Sequence, residues 1–222
     1  MSTLSPTLQT LVKPQKNCRI CKSKNLVAYF DFGEMPLANR NLSFSELNLE
    51  EPIFPLQLLL CKDCKLSQLS LVVSPELLYQ EYPYYSSVSQ TFQNHCKDMV
   101  ATLKGRLNLK TDDLVVEIAS NDGCLLSKFA EAGFQIAGVE PARDLASHTN
   151  AKGLTTFCQF WGQSVAAEIQ SKFGSPTLII GTNVLAHIDD LDEFLSVIRS
   201  VLDPGGYFVF EVPYMANYIE QL

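Results

Sequence analysis

Four cysteines fall into two pairs of identical spacing, Cys18-x-x-Cys21 and Cys61-x-x-Cys64. A two-residue gap lets both thiolates of a pair turn toward one ion. Two such pairs complete a tetrahedral four-sulfur site, the closed arrangement of structural zinc. Thiolate softness and tetrahedral geometry favour zinc, with a lone iron as the chemical competitor. Cys96, Cys124 and Cys158 have no partner in spacing and read as small core residues. Lys13, Lys16, Arg19, Lys22 and Lys24 cluster around the first pair and read as a solvated loop.

A second constellation begins at Glu117-Ile118-Ala119-Ser120-Asn121-Asp122-Gly123, directly after an apolar run. In an α/β sheet the turn after the first strand is where a nucleotide is held. This turn lacks the G-x-G-x-x-G pattern that brings backbone close to a pyrophosphate. Its polar side chains, with Glu117 and Asp122 nearby, suit a ligand of mixed charge and no phosphate. S-adenosylmethionine (SAM), with its ammonium, carboxylate and sulfonium, is such a ligand. Glu140, at the tip of the next strand in Gly138-Val139-Glu140-Pro141, is placed to accept both ribose hydroxyls of a nucleoside, whether from NAD or SAM. Phe160 and Trp161 could cover an adenine face, and Asn183 is expected at the far side of the pocket. His187 falls just past the fourth strand, on the ligand-binding rim of such a sheet.

The elements that must position these groups alternate. Strands are expected at Leu114–Ala119, Gln135–Val139, Leu154–Phe157, Thr177–Gly181 and Tyr207–Val212. Helices are expected at Cys124–Ala132, Ala142–Ala151, Gln163–Phe173 and Leu191–Leu202, the last closed by Asp203-Pro204-Gly205-Gly206. Short links between alternating strands and helices predict a doubly wound, Rossmann-like parallel α/β sheet of about five strands. Four regions follow: a flexible arm over 1–16, a zinc-binding module over 17–74, a helical linker over 75–110, and a SAM-binding domain over 111–222. The zinc module shows no regular strand rhythm and is interrupted by Pro36, Pro52 and Pro55. Helices over Pro75–Tyr79 and Val88–Leu107 flank an aromatic stretch, Tyr82-Pro83-Tyr84-Tyr85-Ser86-Ser87.

The formal net charge of −7 over 222 residues argues against a general nucleic-acid binder, which needs a basic face to release counterions. No apolar stretch approaches the roughly 20 residues that span a bilayer, and the first residues do not read as a secretory signal. A cytoplasmic protein is expected, where paired cysteines point to metal rather than disulfides. Two competing readings are a non-catalytic zinc ribbon joined to a nucleotide-binding domain, and an NAD-dependent oxidoreductase. The absent glycine pattern weakens the second.

Taken together, these residues resemble the bacterial sugar C-methyltransferases that act on nucleotide-linked deoxysugars. The resemblance runs from Cys18 to the end of the chain. It rests on Cys18-Arg19-x-Cys21, Gly33-x-x-Pro36-x-Ala38-Asn39, Phe54-Pro55-Leu56 and Cys61-x-x-Cys64-x-Leu66-x-Gln68. It continues through Tyr82-x-Tyr84-x-Ser86-Ser87, the Glu117–Gly123 turn, Gly138-Val139-Glu140-Pro141, Asn183-Val184-Leu185-Ala186-His187 and Glu211-Val212-Pro213-Tyr214. It implies a structural zinc, SAM in the central domain and a nucleoside-diphosphate 4-keto-deoxysugar as acceptor. It also implies an enolate, formed by proton removal beside the ketone, that attacks the SAM methyl. In that family the residues matching Tyr82, Tyr84 and His187 line the sugar site.

The family's main base lies in a Tyr-His-Glu-His segment a short distance past the match to Tyr214, and this sequence ends at Leu222 before one. The resemblance therefore implies that the chain alone does not turn over a sugar nucleotide. The outer edge of Tyr207–Val212 is expected to lead to self-association or to take a complementing C-terminal piece.

Overall fold

The last five strands form one parallel sheet. In a computed structural model, which describes residues 11–49, 51–214, 217 and 220, the chain divides after Tyr84 into two units. In the second unit, β6 (Leu114–Ile118), β7 (Gln135–Val139), β8 (Thr156–Phe157), β9 (Leu178–Thr182) and β10 (Tyr207–Glu211) pair in the order β10-β9-β6-β7-β8. Every pairing is parallel. The strand order reverses between β6 and β9, and ligands of open α/β sheets bind in the crevice outside the carboxyl ends at such a point.

β6 is buried along its whole length because both faces are covered. Leu114, Val116 and Ile118 join Val165, Ala166 and Ile169 of α5 (Gln163–Phe173) and Phe194, Val197, Ile198 and Val201 of α6 (Leu191–Val201). On the other face, Val115 meets Cys96, Val100 and Leu103 of α2 (Gln90–Arg106) and Cys124, Leu125 and Phe129 of α3 (Cys124–Glu131). Each fully buried Val, Leu, Ile or Phe contributes roughly 1.5–3 kcal/mol of transfer free energy. These two layers therefore fix the strand ends that carry the site. α4 (Arg143–Ala151) fills the link from β7 to β8.

The helices start where capping chemistry lets them. The Ser89 side chain accepts the Phe92 amide at the head of α2, and the Asp190 side chain accepts the Glu193 amide at the head of α6. Asp192 and Glu193 in the first turn of α6 and Arg199 in its last complement the helix dipole. Beyond α6, the Gly206 amide donates to the Asp203 carbonyl, and the Asp203 amide donates back to the Pro176 carbonyl. That closes the turn into β10.

The first unit is β-rich, which its sequence did not suggest. β2 (Leu26–Pro36) and β3 (Ile53–Cys61) are long antiparallel partners, with β4 (Ser67–Leu69) on the far side of β3. Two register shifts, between Ala28 and Phe30 and between Asp31 and Glu34, break the alternation that marks a strand in sequence. Val12–Pro14, read as part of a loose arm, forms β1 and pairs with β5 (Leu71–Val73). Residues 1–10 of that arm lie outside the described residues. A short helix, α1 (Pro75–Tyr79), starts with Pro75 in its first turn.

Candidate functional site

Two turns of the same design carry the cysteines. In each, a lysine after the second cysteine takes a left-handed conformation, Lys22 at φ 60° and Lys65 at φ 68°. Its amide donates to the carbonyl of the first cysteine, Lys22 to Cys18 at 3.0 Å and Lys65 to Cys61 at 2.9 Å. Its ammonium reaches a carbonyl three residues back, Lys22 to Arg19 and Lys65 to Lys62. The sulfurs meet across the two turns, with Cys18 Sγ 3.4 Å from Cys64 Sγ and Cys21 Sγ 3.5 Å from Cys61 Sγ. All four lie within 4.8 Å of one another. A Zn–S bond of about 2.3 Å sets the edges of a sulfur tetrahedron at about 3.8 Å, so the set fits one zinc ion.

The thiols compete for protons in a way a dication would relieve. Burial opposes ionisation of Cys18, but the Cys21 and Ile20 amides and the neighbouring thiols bring it down to about 7. At Cys21 the Ser23 amide favours the thiolate. Burial and the Cys64, Cys61 and Cys18 sulfurs outweigh it and push the thiol up to about 12. Among the described residues of this unit only Cys18, Phe54, Cys61 and Gln68 are buried. So few buried groups cannot hold a module of this length, and a metal supplies what the missing core would. Gln68 braces the first turn by accepting the Arg19 amide and donating to the Asn17 carbonyl.

The second cluster stands at the carboxyl ends of β6 and β7. Ala119 at φ 56°, Asn121 at φ 50° and Gly123 at φ 77° alternate left-handed backbone through the turn from β6 to α3. Non-glycine residues in that region store strain, and such positions gather at ligand sites. The Asn121 amide donates to Glu140 Oε2 and the Ala142 amide to Glu140 Oε1, both at 2.8 Å. Glu140 is thus fixed against the turn. Burial raises its carboxyl pKa, with the two amides pulling the other way. Each carboxylate oxygen retains a lone pair beyond its amide bond. Close packing holds this arrangement: a Cβ at Gly138 would lie 2.7 Å from Ser120 Oγ and 2.9 Å from Leu126 Cδ2 and Thr156 Oγ1.

Two acidic groups of the turn are buried. Glu117 is 3% exposed on the α2–α3 face of β6, and burial pushes its carboxyl well above the ordinary range despite the Leu126 amide. Its Oε2 and the Ser120 hydroxyl are buried with no hydrogen-bond partner, polar atoms that a ligand in the turn could use. Asp122 accepts the Ser86 hydroxyl at 2.7 Å and the Ser87 amide at 3.2 Å, while Asn121 Oδ1 accepts the Ser86 amide at 3.0 Å. No local residue pattern signals that the Ser86-Ser87 turn holds this loop.

Other expected residues are spread around the same rim or fall in the other unit. Asn183 is exposed at φ 56° and donates its amide to the Glu211 carbonyl at 2.8 Å, tying the ends of β9 and β10. His187 is exposed and closes the 3-10 turn Leu185–His187. Phe160 is half-buried after β8, and Trp161 packs against the core. Tyr82 and Tyr84 belong to the first unit, their rings 6.4 Å apart edge to face. Cys96 and Cys124 are buried with sulfurs 3.9 Å apart, whereas Cys158, expected in the core, is exposed.

Known proteins match the chain in the same two blocks. Residues 18–79 match a domain of methyltransferases described as zinc binding, and residues 90–221 match the family described as methyltransferase domain. The C-methyltransferase NovU of Streptomyces niveus is 34% identical over 213 residues, 96% of this chain and 51% of NovU. The chain therefore spans about half the length of that relative. Solved structures that overlap it include PH0226 from Pyrococcus horikoshii, at 16% identity and TM-score 0.49, covering 63% of each chain. A S-adenosylmethionine-dependent methyltransferase from Clostridium acetobutylicum overlaps at 18% identity and TM-score 0.45, covering 59% of this chain and 54% of that one.

Proposed function

Because the chain belongs to the methyltransferase-domain family, with a zinc binding domain ahead of that fold, we propose that it serves SAM-dependent C-methylation of a nucleoside-diphosphate 4-keto-deoxysugar. One observation carries the reading: Glu140, at the carboxyl end of β7, is held by two backbone amides against the left-handed turn that follows β6, the strand beside which the strand order reverses. A fixed carboxylate there accepts the ribose hydroxyls, and the Ala119–Gly123 turn surrounds the methionine end. The C-methyl chemistry and the sugar come from the likeness to NovU and from the motifs shared with sugar C-methyltransferases.

SAM supplies an electrophilic methyl group when bound. The chain's own groups do the rest. Glu140 orients the nucleoside, Glu117 and Ser120 offer buried polar atoms to the turn, and Asn183 borders the pocket on the β9 side. Phe160 offers an aromatic face to the adenine. Of the residues that the family resemblance assigns to the acceptor, His187 stands just past β9 on the rim of this sheet. Cys18, Cys21, Cys61 and Cys64 hold zinc, which is structural because four thiolates close its coordination shell.

Calorimetry tests this. The chain is expected to bind SAM and not NAD. Glu140→Ala should weaken SAM by on the order of 1.5–3 kcal/mol for each charge-assisted bond lost. Unchanged SAM affinity in that variant refutes the ribose assignment, and absence of SAM binding by the unsubstituted chain refutes the reading.

A further inference from the structure

Two thiols meet where the cofactor turn runs into its helix. Cys124 is the first residue of α3, directly after Gly123, and Cys96 lies on α2. Their sulfurs are 3.9 Å apart, and both residues are buried. We propose that Cys96 and Cys124 form a redox gate: a hydroperoxide joins them as a disulfide, which draws the head of α3 toward α2 and misplaces the cofactor turn. The proposal rests on the reading of that turn as the SAM site.

The packing decides which side moves. A disulfide holds its sulfurs at about 2.05 Å, so these two must close by about 1.9 Å. α2 runs over 17 residues and is fixed through Val100 and Leu103 in the core that holds Leu178 and Ile180 of β9. The head of α3 is held less firmly. Its cap is Gly123 at φ 77°, with no side-chain hydrogen bond among the described residues. Cys124 therefore gives way. The movement passes into the turn, because the Ser127 amide donates to the Gly123 carbonyl at 2.8 Å and the Gly123 amide to the Ser120 carbonyl at 2.9 Å. A binding site loses its fit once its groups leave their places by more than about 0.5 Å. Reduced, the two thiols fill core volume as small apolar groups and leave the turn as it stands.

Cys124 is the thiol that an oxidant reaches first. It borders a cavity of about 110 Å³ with Ser87, Gln93, Ser127 and Lys128, room enough for hydrogen peroxide, whereas Cys96 is fully buried behind it. Burial raises the pKa of both thiols, and at Cys124 the Cys96 hydrogen bond and the Lys128 ammonium pull the other way. Cys124 gives up its proton and its sulfur attacks the peroxide. An S–O bond forms, the O–O bond breaks, one water leaves, and Cys124 becomes a sulfenic acid. The Cys96 sulfur then displaces that hydroxyl, which leaves as a second water with the Cys96 proton. Two thiols and one peroxide thus give one disulfide and two waters, with two electrons passing from sulfur to oxygen. A dithiol reverses the bond by exchange. Core thiols without this role would share the contact but would not gate the turn, and the experiment separates the two.

The full chain from zinc-replete medium is treated with hydrogen peroxide, then read by peptide mapping, zinc content and SAM calorimetry. The map is expected to join the Cys96 peptide to the Cys124 peptide, with zinc retained. SAM affinity should fall about tenfold or more, and dithiothreitol should restore it. Cys96→Ala and Cys96→Ser should bind SAM as the reduced parent does and keep that affinity through the same treatment. These variants retain the zinc thiols and the exposed Cys158, the other targets of peroxide, so they isolate the pair. Absence of the joined peptide, a joined chain that binds SAM as tightly as the reduced one, or an equal loss of affinity in both treated variants overturns the gate. A reduced parent that binds no SAM refutes the SAM reading before any peroxide is added, so the two failures are told apart.

Discussion

Ser86 Oγ donates a 2.7 Å hydrogen bond to Asp122 Oδ1, and both side chains are buried. The turn that opens the second unit is thus pinned to the turn expected to hold the cofactor. Asp122 also accepts the Ser87 amide, so its loss strands a buried hydroxyl and a backbone amide together. Asp122→Ala is expected to destabilise the second unit by about 1–3 kcal/mol, and Ser86→Ala by about 1 kcal/mol. Urea denaturation followed by Trp161 fluorescence measures both. An Asp122→Ala midpoint equal to the parent's would mean the clamp holds nothing.

One zinc per chain is expected, bound by Cys18, Cys21, Cys61 and Cys64. With so little buried in the first unit, removing the metal should unfold it, since in small zinc modules metal binding supplies on the order of 10–16 kcal/mol. Protein from zinc-replete medium should carry one equivalent by mass spectrometry of the metal. A strong chelator should make the 22–60 segment sensitive to protease. Less than half an equivalent of any metal contradicts the assignment.

Glu117 makes a prediction with a definite sign. Burial raises its folded pKa well above the ordinary 4.5, so the folded chain holds a proton that the unfolded chain has released. Stability from this group is present below 4.5 and falls as pH rises toward the folded value, by up to about 1.4 kcal/mol per pH unit. Glu117→Gln, neutral at every pH and nearly the same shape, should remove that fall and melt higher than the parent at pH 8. Melting temperatures at pH 5 and pH 8 decide it, and parallel pH dependence in both proteins would show that Glu117 ionises freely.

Gly138 has no room for a methyl group. Gly138→Ala would force Ser120, Leu126 or Thr156 aside, and overpacking of this kind costs about 1–3 kcal/mol. Because Ser120 belongs to the turn, SAM affinity should drop along with stability. A variant that melts lower yet binds SAM as the parent does would separate Ser120 from the ligand.

The parallel sheet was legible because its strands are short, apolar and covered on both faces. Gln135–Val139 and Gln163–Phe173 match their expected bounds residue for residue, and the other elements agree to within two residues at each end. In the first unit, β2 and β3 hid because bulges at Ala28–Phe30 and Asp31–Glu34 shift which side chains face which way, and Pro36 and Pro55 look like interruptions. The cysteine pairs were legible from spacing alone. Cys96 beside Cys124 was not, because 28 residues separate them and neither belongs to a local pattern. Asp122 was visible as a residue of the turn, but its Ser86 partner depends on how a segment 36 residues earlier returns to it.

The matched cysteine turns also bear on how the first unit assembles. Each turn closes on itself through its lysine, so it can form early as a local fold of five residues, independent of the other. What remains for the ion is a single ring closure that joins two preformed halves. For roughly 40 intervening residues that closure costs about 3 kcal/mol of chain entropy beyond a constant, and it grows only with the logarithm of the segment length. The stretch between Lys22 and Cys61 should therefore accept insertions with little loss of metal affinity, whereas a single residue added inside either turn should abolish it.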